Sequence, residues 1–187
     1  MPVSPYCTIG PYFPASFVDG CEDLTHYRGG VAQGTHIALR GRILQEGGVP
    51  TRNTILEIWQ ADANGIFRHS LDPNCRQADP GFAGWGRART DAEGWYKIQT
   101  VLPGSYEGRC PHANLMILAI GLTRRLVTTV FFADNPVVNL DDVRDPVLDS
   151  VPDAAARKRL FARRENEGEY RFDLILRGEN ETPFFLD

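Results

Sequence analysis

His36-Ile37-Ala38-Leu39-Arg40-Gly41-Arg42-Ile43-Leu44 alternates apolar and polar positions, then breaks at Glu46-Gly47-Gly48-Val49-Pro50. Thr54-Ile55-Leu56-Glu57-Ile58-Trp59-Gln60 resumes the pattern. Successive side chains on a strand point to opposite faces, so alternation marks a half-buried strand and the Gly-Pro cluster marks a turn. The same grammar continues through Gly86–Thr90, the turn Asp91-Ala92-Glu93-Gly94 and Trp95–Val101, which stops at Leu102-Pro103-Gly104. Asn114–Gly121, Arg125–Phe132 and Glu169–Arg177 supply three more strands. Short strands separated by turns predict a mainly β fold, a two-sheet β-sandwich.

Outside the strands lie two other textures. Residues 1–34 hold Gly10-Pro11-Tyr12-Phe13-Pro14, where proline fixes φ and removes donors, so an extended N-terminal arm is expected. Its aromatics, Tyr6, Tyr12, Phe13 and Phe17, suggest that it docks. Pro152–Ala162 joins strong helix formers to an acidic start and a basic end, predicting a short helix near 152–164. With 187 residues and no internal repeat or linker, a single domain over 1–187 is expected, the sandwich occupying 35–187.

Bulk properties narrow the function. The net charge of −4 and pI near 5.6 offer no footprint for nucleic acid or anionic lipid. No apolar run reaches the roughly 20 residues of a membrane helix, and Met1-Pro-Val-Ser-Pro does not read as a signal peptide. A cytoplasmic protein is the expectation. Cys7, Cys21, Cys75 and Cys110 lack metal-site spacing and are expected to be free thiols.

Several short motifs occur in a specific order. They are Thr8-Ile9-Gly10-Pro11-Tyr12-Phe13, Ile58-Trp59-Gln60-Ala61-Asp62 with Gly65-Ile66-Phe67-Arg68-His69, and Arg89-Thr90-Asp91 with Gly94-Trp95-Tyr96. Leu102-Pro103-Gly104-Ser105-Tyr106, Pro111-His112-Ala113-Asn114, Thr129-Val130-Phe131-Phe132 and Tyr170-Arg171-Phe172-Asp173 follow. Together they make the chain similar to the intradiol ring-cleavage dioxygenases over nearly its whole length. The resemblance implies a β-sandwich enzyme family in which non-haem Fe(III), held by two tyrosinates and two histidines, activates a catechol for cleavage by O₂ to a muconate-type diacid. Hard ferric iron suits phenolate oxygens, with imidazoles completing the set.

The positions that match those ligands here are Phe67, Tyr106, His112 and Asn114. Phenylalanine offers no oxygen, and asparagine is a poor substitute for imidazole. His69 matches a family position that is not a ligand. The expectation is therefore a vestigial site with no metal and no catalytic residue in this chain. Heteromeric members that cleave protocatechuate pair a catalytic beta-type subunit with an alpha-type subunit of the same fold and a decayed site, and this chain is more similar to the alpha type. The resemblance then implies that Fe(III) sits in the partner, and that Thr8, Gly10 and Pro11 of the arm wall the partner's catechol pocket. Ile120 stands where an arginine facing the substrate carboxylate is expected, with Arg124 and Arg125 nearby. Two other readings remain open: a self-sufficient enzyme using Tyr106, His112, His69 and a water or carboxylate, and a non-catalytic aromatic-binding homologue. Arg157, Lys158, Arg159, Arg163 and Arg164 read as a solvated or interface-facing helix side, and Trp59, Trp85 and Trp95 as core or interface aromatics.

Overall fold

The computed structural model describes residues 8–10, 13–132 and 143–185. Its strands in chain order are β1 (His26–Tyr27), β2 (Gly30–Val31), β3 (His36–Leu44), β4 (Ile55–Gln60), β5 (Trp85–Arg89) and β6 (Trp95–Val101). β7 (His112–Leu118), β8 (Leu126–Phe132), β9 (Phe161–Asn166), β10 (Glu169–Arg171) and β11 (Leu174–Ile175) complete the set. Two short helices, α1 (Pro146–Asp149) and α2 (Ala154–Lys158), precede β9. The fold is mainly β, and among the described residues no helix is long and apolar enough to cross a membrane.

Apart from the β1–β2 hairpin, the strands form one nine-stranded sheet folded into two layers. β3 is the hub of the first layer, antiparallel to β6 and parallel to β10 and β11. The second runs β8-β7-β4-β5, every neighbour antiparallel. β9 joins the layers: Phe161 and Ala162 pair with β8, while Arg163, Arg164 and Asn166 pair with β10. On the other side the end of the arm closes the gap. Leu24 N–H donates to Gln99 O of β6, and Arg87 N–H of β5 donates to Cys21 O.

Alternation in the sequence becomes the two faces of each layer. Ile37, Leu39 and Ile98 from the first layer meet Leu56, Ile58, Leu115, Ile117 and Val130 from the second in one core. Burial of such side chains contributes roughly 1.5–3 kcal/mol each. A smaller cluster of Phe131, Leu148, Val151, Leu160 and Phe161 seats α1 and α2 on the outer face of the second layer.

Two expectations need correction. The helix near 152–164 is cut to Ala154–Lys158, started by Asp153, whose side chain accepts from Ala155 N–H, and ended at Arg159. Residues 161–166 are strand because pairing with β8 and β10, and burial of Leu160 and Phe161, outweigh their helical propensity. The strand over 169–177 is broken at Phe172 and Asp173; Asp173 Oδ1 accepts from Arg42 N–H at 2.9 Å there. Of the arm's aromatics, Phe13 and Phe17 dock, through Arg89 Nη2 to Phe13 O and Arg87 Nη1 to Phe17 O, both at 2.8 Å, while Tyr6 lies outside the described residues. Cys21, Cys75 and Cys110 are free thiols; Cys7, like Pro11 and Tyr12, lies outside the described residues.

Candidate functional site

The site is assembled by a loop, a turn and a strand face. After β4 the chain turns at Gly65, whose φ of 78° and contact with Ser105 O leave no room for a side chain. Asp62 holds this turn: its carboxylate accepts N–H bonds from Asn64 and Ile66, and from Asp79 at 2.9 Å. Gly104 N–H donates to Asp62 O, which docks the Pro103-Gly104 turn on the loop. The consequence is that Phe67 and Tyr106 meet edge to face, with ring centroids 4.8 Å apart.

His112, Asn114 and Met116 share the outer face of β7, since alternate residues point the same way. Opposite them on β8 stand Phe131, Thr129 and Val127. Asn114 Oδ1 accepts from Thr129 Oγ1 at 3.1 Å. His112 is buried, with Nδ1–H donating to Cys110 O at 2.7 Å and its ring against Phe131. Burial lowers its pKa below the usual imidazole value against the opposing pull of the Cys110 carbonyl. Burial raises the Tyr106 phenol above its ordinary value, helped by Glu107 and Asp72, which opposes formation of a phenolate.

Phe67, Tyr106 and Asn114 open on a cavity of about 370 Å³, with Trp59, Leu71 and Met116 on its walls. His112 sits one register step along β7 and does not line it. His69 does, packed against Trp59 at 5.4 Å. Of the four ligand positions only Tyr106 and His112 carry side chains suited to ferric iron. Among the described residues no three or more His, Cys, Asp or Glu gather in a metal-holding group. That donor set does not fit a ferric ion, because affinity falls steeply with each missing ligand.

The expected substrate-side residues lie elsewhere. Thr8 Oγ1 donates to Ala119 O at 3.2 Å and accepts from Gly121 N–H at 2.8 Å, pinning the arm to the β7–β8 turn. Gly10 is exposed, and among the described residues a Cβ there would meet nothing within 4 Å. Ile120, 55% exposed, stands in the same turn. It lies four positions beyond Met116 and six beyond Asn114, roughly 13–20 Å at some 3.3 Å per residue. Asp72, Leu71 and Met116 were not singled out from the sequence. Met116 could have been found by counting two from Asn114, whereas nothing local marks Asp72.

A family model described as Dioxygenase matches residues 8–178. The chain is 38% identical over 178 residues to a protocatechuate 3,4-dioxygenase beta chain of Burkholderia cepacia, covering 87% of this chain and 74% of that one. It is 32% identical to a protocatechuate 3,4-dioxygenase alpha chain of the same organism, covering 97% and 96%. Among solved structures, the dioxygenase domain of a carbohydrate-binding fusion from Streptomyces sp. SirexAA-E aligns with a TM-score of 0.59 at 24% identity, covering 96% of this chain and all of that one.

Proposed function

Because this chain belongs to the intradiol dioxygenase family, we propose that it is the alpha-type subunit of a heteromeric protocatechuate 3,4-dioxygenase-like enzyme. It carries no iron of its own and shapes the pocket of a catalytic beta-type partner. The observation that carries this reading is the pair Phe67 and Asn114, which offers neither the phenolate nor the imidazole that the family resemblance places at those positions. Identity is higher to the beta chain, but the match to the alpha chain is nearly end to end. The ligand positions, rather than overall identity, bear on the division of labour.

In the complex the partner's ferric ion would bind the catechol and activate it towards O₂. This chain's part is to wall the pocket with Thr8, Gly10 and Pro11. Thr8 fixes the arm to the turn that carries Ile120, so arm and Ile120 approach the partner as one surface. Gly10, which no packing among the described residues requires, keeps the arm thin enough for close approach. Ile120 offers no partner for a carboxylate, whereas a guanidinium would pair with it bidentately. The substrate is therefore protocatechuate or a related catechol with weaker demand for carboxylate recognition.

The test is to mix the purified chain with a beta-type chain and assay catechol cleavage. Turnover is expected only in the mixture, and Ile120→Arg is expected to lower KM for protocatechuate relative to catechol several-fold. Turnover by this chain alone would overturn the reading.

A further inference from the structure

The cations at 157–164, expected along one helix side, are dispersed by the fold. Lys158 and Arg159 end α2, Arg163 lies on β9, and Arg157 turns away to Val151 O. Lys158, Arg159 and Arg163 meet Arg171 of β10 around a cleft of about 230 Å³. We propose that this cleft binds a small dianionic oxyanion, a phosphate or a compact dicarboxylate.

Arg163 and Arg171 are directly opposed across β9 and β10, so their side chains leave the same face of the sheet. Like charges so placed repel unless each is countered. Arg171 is countered, with Nη2 donating to Asp173 Oδ2 at 2.9 Å and Glu165 standing 3.7 Å from Nη1. Arg163 has no hydrogen-bond or ion-pair partner among the described residues. Arg159 spends Nε on Glu181 O and reaches the exposed Asp153 only at 4.0 Å. Asp173, the carboxylate on the cleft wall, is already taken up by Arg171 and by Arg42 N–H. The cleft is left with an excess of positive charge.

Two neutral donors complete it. Thr182 is buried, and its Oγ1 accepts from Ile175 N–H at 2.9 Å, while no described residue accepts its hydroxyl hydrogen. Asn180 takes a left-handed conformation, φ 64°, in the turn that Glu181 N–H closes on Gly178 O. Its side-chain amide has no partner among the described residues. Guanidinium groups pair bidentately with phosphate and carboxylate oxygens, and the cleft is smaller than the roughly 300 Å³ at which sites for larger organic ligands begin. A monoanion would counter less of the excess charge than a dianion does. Binding here needs neither partner subunit nor metal, so it is tested apart from the subunit reading.

Inorganic phosphate, succinate and acetate are titrated calorimetrically into the full chain at pH 7.5 and low ionic strength, where exposed charges are weakly screened. Saturable binding of phosphate or succinate with Kd below about 1 mM, at least about tenfold tighter than acetate, is expected. The tighter of the two identifies which source of dianion the cleft takes. Arg163→Gln removes an exposed side chain without a partner, leaves the fold intact, and should weaken binding at least about fivefold. Arg76→Gln, exposed on the turn at Cys75–Gln77, should change it by less than about twofold. Neither dianion binding more tightly than about 1 mM, acetate binding as well as both, or Arg163→Gln losing no more than Arg76→Gln would overturn the proposal.

Discussion

Phe67 differs from tyrosine by one hydroxyl, and that oxygen is the atom a ferric ion would bind. Asn114 is placed on the strand face of His112 but spends its oxygen on Thr129. The double variant Phe67→Tyr/Asn114→His is expected to gain ferric iron at about one per chain, with a tyrosinate-to-iron absorption band. Each single variant is expected to gain little, since affinity needs the full set; metal analysis and visible spectra check this. His112 is also a pH sensor for stability. Burial depresses its folded pKa, so its contribution is intact above the unfolded value of about 6.5 and is lost as pH falls through the folded pKa. Urea midpoints should therefore drop from pH 7.5 to 5.5, and drop less in His112→Gln.

Asp145 acts at the same scale. Burial pushes its carboxyl up, but Arg109 Nε at 2.7 Å and the N–H groups of Val147 and Cys110 outweigh burial and hold it below the usual range. Its stabilisation is full above about pH 4 and is lost as pH falls through the folded pKa. It fastens the Arg109–Cys110 strand entry to α1, and Asp145→Ala should cost about 3 kcal/mol in urea unfolding at pH 7.

At the scale of elements, the site depends on one turn holding another. A Cβ at Gly104 would press on Gly65 N and Ala63 O, which are backbone atoms that cannot move aside. Gly104→Ala should cost about 2 kcal/mol and part the Phe67–Tyr106 contact, seen in unfolding curves and in the ring shifts of Tyr106. The strands were legible from residues such as Ile37, Leu39, Ile58 and Ile98, whose alternation survives folding because one face is buried. β9 was not. Phe161-Ala162-Arg163-Arg164-Glu165 carries helical propensity, and its strand state comes from Phe131, distant in sequence, and from Tyr170 across the β9–β10 hairpin. The Phe67, Tyr106, His112 and Asn114 positions were legible through their motifs, while the cavity that Phe67, Tyr106 and Asn114 border was not, because Leu71, Asp72 and Met116 join it only through tertiary packing.

At the scale of the whole molecule, the β7–β8 hairpin borders the apolar cavity through Asn114, Met116 and Val127, and its turn, which carries Ile120, holds the arm through Thr8. Deleting residues 1–10 should shift the Tm of the isolated chain by less than about 3 °C. The same deletion should lower the activity of the assembled enzyme at least about tenfold. A division of labour between an iron-free chain and an iron-bearing partner is tested most directly by metal content. The chain is purified alone and as a co-expressed pair with a beta-type chain, and iron and catechol cleavage are measured on both. The account predicts no stoichiometric iron and no turnover for the chain alone, and about one iron per pair with turnover for the complex. A lone chain that holds about one ferric ion and cleaves a catechol would contradict it.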